Sequence, residues 1–138
     1  CRCPYREGGR RGVLMRLLTV GENEVVLLDM EAGVEHFGRG VDNSVDLILM
    51  IVDPSFESLK LTKKIQQLGE SIGKTVFFVL NKVNGQILPT MLESIDDQSK
   101  VLAVISEDTE IARKGLLGNE LMMEIPEIHT LARKILKQ

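Results

Sequence analysis

Cys1 and Cys3 carry thiols two residues apart, a spacing at which two thiolates could share one soft metal ion. Thiolates favour Zn²⁺ and also hold Cu(I) or Ni(II). Two ligands do not complete a tetrahedral site, but two chains meeting across a twofold axis would supply four and join the subunits. The alternative is a pair of incidental reduced thiols. Asp29 stands at the end of the apolar run Val25–Met30, and a carboxylate at the end of a buried run is costly unless it is paired or near a cation. Gly33, four residues on, would let the backbone approach a ligand closely. Asn81 and Lys82 follow the run Thr75–Leu80, and one Asn amide offers both a donor and an acceptor. Ser106, Glu107 and Asp108 follow the run Val101–Ile105. For Asp29, Asn81 and Asp108 the structural alternative is local: a turn cap, a turn residue and a helix N-cap.

The elements that must position these residues are short continuous apolar runs rich in β-branched side chains. Val25–Met30, Leu47–Asp53, Thr75–Leu80 and Val101–Ile105 each suit a strand buried on both faces. Helical patterns separate the later runs. Leu61, Ile65, Leu68 and Ile72 fall on one helical face, with Ser55 as N-cap and Gly73 as C-terminal cap. Shorter helical patterns cover Val13–Thr19, Pro89–Ile95 and the residues after Asp108. The last helix starts near Pro126, with Ile128, Leu131, Ala132, Ile135 and Leu136 on its apolar face. Alternating strands and helices predict an α/β fold, a parallel sheet of about four strands flanked by helices. In such sheets ligands bind beyond the carboxyl ends of the strands, where the candidate residues fall.

Composition narrows the classes of function. The chain has 138 residues, 43% of them hydrophobic and 27% charged, enough apolar material for one core. A net charge of -3 and few aromatics argue against a nucleic-acid surface. The apolar run Leu47–Val52 is far shorter than the roughly 20 residues a bilayer needs. With no signal-peptide pattern, the expectation is a cytoplasmic protein. The opening residue is Cys1 rather than Met, and we read the chain as part of a longer protein. No linker divides it: residues 1–12 form a Cys-x-Cys loop segment and 13–138 an α/β body.

The segment from Asp29 to Gly40, Asp-Met-Glu-Ala-Gly-Val-Glu-His-Phe-Gly-Arg-Gly, resembles switch II of the CooC-type nickel-insertion accessory ATPases of carbon monoxide dehydrogenase. These belong to the MinD/ParA/nitrogenase-iron-protein class of P-loop nucleotide hydrolases. The resemblance extends over essentially the whole chain. It implies that Asp29 supports Mg²⁺ and the Gly33 amide senses the γ-phosphate, within a switch II that includes Glu31, Glu35, His36 and Arg39. It implies that Asn81 reads the adenine amino group, with Lys82 beside it, and that the loop Ser106–Asp108 lies against the base. The family often has Pro where this chain has Ser106, which weakens that last inference. Cys1-x-Cys3 sits where the family binds metal at a dimer interface, so Zn or Ni, a homodimer and a client nickel enzyme follow as expectations. Asp53-Pro54-Ser55-Phe56-Glu57-Ser58 is similar to a family turn, and its residues give it a mainly structural reading.

No Gly-x-x-x-x-Gly-Lys-[Ser/Thr] phosphate loop occurs in the chain. Gly69–Thr75 is one residue short and lies between a helix and a strand, the reverse of the required order. Gly8–Gly12 lacks the Lys-Ser/Thr pair. The expectation is therefore a partial P-loop fold without its phosphate-loop strand, in which catalysis belongs to the parent protein and this portion holds ATP or ADP weakly. Removing a central strand would leave unpaired edges, unless the flanking strands close up or another chain fills the gap. The competing functions are a MinD/ParA-type positioning ATPase, using the basic amphipathic tail Ile128–Gln138 on a membrane, and a noncatalytic module that does not bind nucleotide.

Overall fold

The computed structural model describes residues 21, 24–30 and 45–136. The chain separates into two units, Cys1–Asp46 and Leu47–Gln138. In the second unit three parallel strands, β1 (Leu47–Val52), β2 (Thr75–Val83) and β3 (Val101–Ser106), form a sheet in that order. Helix α1 (Phe56–Ser71) connects β1 to β2; α2 (Leu88–Glu93) and a 3-10 turn (Gln98–Lys100) connect β2 to β3. Helices α3 (Thr109–Leu117) and α4 (Pro126–Ile135) follow.

The expected α/β class with a parallel sheet is what the chain adopts, with three strands among the described residues. Val25–Met30 makes no ladder hydrogen bonds among the described residues, and Val25, Val26, Leu27 and Leu28 are exposed. An apolar run becomes a strand only where neighbours take up its N–H and C=O groups. Before it, Glu24 N–H bonds Gly21 C=O at 3.1 Å. Among the described residues β1 and β3 are the edges of this sheet.

The central strand explains the core. Val76 to Leu80 are all buried, as a strand covered on both faces requires. Phe77 and Val79 on one face pack with Leu102 and Leu131, and Ile135 joins them, so α4 covers that face. Val76, Phe78 and Leu80 point the other way. There α1 approaches so closely that a Cβ on Gly69 would stand 2.3 Å from Val76 Cγ2.

Helix α1 is bounded as its sequence predicts. Ser55 Oγ accepts from Ser58 N–H at 3.2 Å. At the other end Lys74 N–H bonds Gly69 C=O and Gly73 N–H bonds Glu70 C=O, a Schellman closure with Gly73 at φ +67°. The buried Thr62 hydroxyl sits 2.7 Å from Leu59 O and 3.0 Å from Ser94 O, linking α1 to the end of α2. Among the described residues no helix is long and apolar enough to cross a membrane.

Candidate functional site

Because all three strands run parallel, their carboxyl ends lie along one rim. The register pairs Val52 with Leu80, so the next residues, Asp53 and Asn81, come side by side. Asn81 Nδ2 donates to Asp53 Oδ1 at 2.9 Å, and Lys82 Nζ donates to Asp53 Oδ2 at 2.6 Å. Consecutive strand residues normally point to opposite faces. Asn81 and Lys82 reach the same carboxylate because the ladder breaks between Leu80 and Val83 and Lys82 turns to φ 54°. Such bulges re-aim side chains and recur beside functional sites. A non-glycine residue at positive φ persists where surrounding contacts over-determine it, and here the ion pair supplies one.

Two forces act on the Asp53 carboxyl. Partial burial raises its pKa, but the hydrogen bonds from Lys82 and Asn81 and the Lys82 charge outweigh burial and hold it below the ordinary carboxylate value. The turn below is self-contained: Asp53 N–H donates to Ser58 Oγ at 3.1 Å, and Ser55 N–H to Asp53 O at 2.8 Å. The segment Asp53–Ser58 therefore has the structural role expected of it, and Asp53 has a second one. The sequence reading missed that second role. The signal was present: an acid ends one buried run and Asn-Lys ends the next.

Beyond β3, Glu107 N–H donates to Val83 O at 2.9 Å, fastening that loop to the end of β2. Asp108 Oδ1 accepts from Glu110 N–H at 2.7 Å and Ile111 N–H at 3.0 Å, so it caps α3. Ser106, Glu107 and Asp108 line a cleft of about 210 Å³ with Ile111 and the segment Met123–Glu127. That is smaller than the ~300–1,000 Å³ typical of pockets for drug-sized ligands. Its carboxylates, Glu107, Asp108, Glu124 and Glu127, would repel a phosphate chain.

The remaining candidates divide by position. Asp29 is exposed at the end of a run that is not a strand. Gly33, Glu31, Glu35, His36, Arg39, Cys1 and Cys3 lie outside the described residues. Among the described residues no group of three or more His, Cys, Asp or Glu could hold a metal ion. The structure thus brings Asn81 and Lys82 together on Asp53, and gathers Ser106, Glu107 and Asp108 around the cleft.

No family model matches the chain. It is 42% identical over 137 residues to an ATP-binding protein of Methanocaldococcus jannaschii, covering 99% of this chain and 54% of that protein. A second ATP-binding protein of that organism is 34% identical over 127 residues, covering 90% of this chain and 49% of the relative. The carbon monoxide dehydrogenase accessory protein CooC of Rhodospirillum rubrum is 35% identical over 119 residues, covering 86% of this chain and 44% of CooC. The chain spans about half the length of the curated relatives it matches. With such identities across most of its residues, the chain is homologous to part of a group of ATP-binding proteins that includes CooC.

Proposed function

We propose that the chain is the C-terminal portion of a single P-loop ATPase domain, and that the protein carrying it binds and hydrolyses ATP to assist nickel insertion into carbon monoxide dehydrogenase or a related metalloenzyme. The observation that carries the reading is Asn81, held at the carboxyl rim of a parallel sheet by Asp53, in a chain 35% identical to a carbon monoxide dehydrogenase accessory protein. In this reading Asn81 and the Ser106–Asp108 loop serve the base.

Asp29 would support Mg²⁺ and the Gly33 amide the γ-phosphate, with Glu31, Glu35, His36 and Arg39 in the switch around them. Mg²⁺ would neutralise charge developing between the β- and γ-phosphates. Cys1 and Cys3 from two subunits would hold Zn or Ni at the interface of a cytoplasmic homodimer. The MinD/ParA alternative requires the apolar face of α4 on a membrane, yet Leu131 and Ile135 pack on the sheet.

Metal stoichiometry and ATP turnover of the full-length protein test this reading, with a Cys1→Ser/Cys3→Ser double variant. The expected result is loss of bound Ni or Zn in the double variant. Unchanged stoichiometry would remove the metal assignment, and absence of ATP turnover in the native protein would remove the ATPase assignment. Calorimetry on residues 1–138 alone should show no tight Mg-ATP binding; micromolar affinity would contradict a missing phosphate site.

A further inference from the structure

An ionised carboxylate has no proton to give and only accepts hydrogen bonds. The edge of Asn81 facing Asp53 must therefore be Nδ2, as its 2.9 Å contact with Oδ1 requires. Turning the amide over would set Oδ1 against a carboxylate oxygen at the same separation. Lys82 on the second oxygen, Oδ2, keeps the carboxylate charged and in place. Asn81 is left with its Oδ1 acceptor, which takes no hydrogen bond among the described residues, and a second Nδ2 proton.

We propose that Asp53 is a positioning residue that locks the Asn81 amide in the orientation selecting a 6-aminopurine over a 6-oxopurine. The inference rests on the reading of Asn81 as the group that meets the base. Adenine offers an N6 amino donor beside the N7 acceptor, the complement of a free amide oxygen and a free N–H. Guanine offers O6 and N7, two acceptors, so O6 would meet Oδ1 with no proton between them. A free Asn could turn its Nδ2 toward O6 and donate one hydrogen bond to guanine, so part of the discrimination would be lost. The Asp53 contact opposes that rotation, and a site with fixed polar groups rejects the mismatched analogue strongly. The bulge belongs to the same device, because the φ of 54° lets Lys82 reach the carboxylate that Asn81 also uses.

The test measures Mg-ATP and Mg-GTP affinities on the full-length protein and reads their ratio. The native protein should favour ATP by about tenfold or more, the range one bidentate base contact gives. Asp53→Asn, whose amide can also donate, should reduce that preference about tenfold, and Asp53→Glu, again acceptor-only, should restore most of it. Affinities for both nucleotides falling together at an unchanged ratio would mean a merely structural role and overturn the proposal. Asn81→Ala separates the two levels. If it keeps the native ratio, the reading of Asn81 itself fails. If it abolishes the ratio while Asp53→Asn preserves it, only the lock fails. Should Asp53→Asn not fold, the Asn81 side-chain protons in the native protein decide by NMR. One slowly exchanging Nδ2 proton supports the lock, and two exchanging at free-amide rates overturn it.

Discussion

Asn81 and Asp53, 28 residues apart in sequence, are joined by an Nδ2–Oδ1 hydrogen bond of 2.9 Å at the carboxyl rim of the sheet. Lys82 completes the contact, so one carboxylate fixes both residues at the bulged end of β2.

Asp53 should make stability depend on pH in a definite direction. Its folded pKa lies below the ordinary value, so its contribution is fully present above the unfolded value of about 3.9 and is lost as pH falls through the folded one. The Lys82 and Asp53 side chains are 60% and 41% exposed, so solvent screening limits the ion pair to below about 1 kcal/mol. Urea midpoints of the native chain and Asp53→Asn should differ most near neutral pH and converge as pH falls below the ordinary carboxylate range. A difference independent of pH would show that Asp53 contributes nothing through its charge.

Gly69→Ala should destabilise the fold despite alanine's better helix propensity. The new Cβ would stand 2.3 Å from Val76 Cγ2 and 2.9 Å from the Lys74 carbonyl oxygen, so helix and strand must separate. Overpacking of this kind costs about 1–3 kcal/mol, against a propensity gain of roughly 1. Chemical denaturation measures the balance; a more stable variant would refute the close approach.

Leu131→Ala should lower stability by about 2–4 kcal/mol, because Leu131 belongs to the core with Phe77, Val79 and Leu102. The full-length protein should also show no ATP-dependent pelleting with vesicles, since Leu131 and Ile135 already pack on the sheet and only Ile128, Ala132 and Leu136 of that stripe are exposed. Nucleotide-dependent pelleting, with little loss of stability in the variant, would favour the membrane-positioning alternative.

Asp108→Ala removes a cap that accepts from two backbone N–H groups at the start of α3. The expected loss is about 0.5–2 kcal/mol. Asp108→Asn, which keeps an acceptor oxygen, should recover most of it in thermal melts. Equal losses in both variants would mean that charge, rather than capping, is what Asp108 supplies.

Much of the fold was legible in the sequence. The apolar runs at Leu47, Thr75 and Val101 became strands, and Ser55 and Gly73 bounded α1, because burial pattern and cap chemistry are local properties. Local pattern was insufficient at Val25–Met30, whose apolar residues suit a strand but whose backbone has no ladder partner among the described residues. The candidate site was legible as positions rather than as contacts. Asn81, Lys82 and the Ser106–Asp108 loop were marked by falling just past strand ends, and those ends do share one rim.

The sequence by itself determined the α/β class, the parallel arrangement and the strand ends where polar chemistry gathers, since these follow from hydrophobic period and turn residues. Only the tertiary structure decided that Asp53 holds Asn81 and Lys82 together. That contact depends on the register between β1 and β2 and on the bulge at Lys82. Register and bulge are set by how side chains from distant elements pack, so they are properties of the assembled sheet and of no single segment.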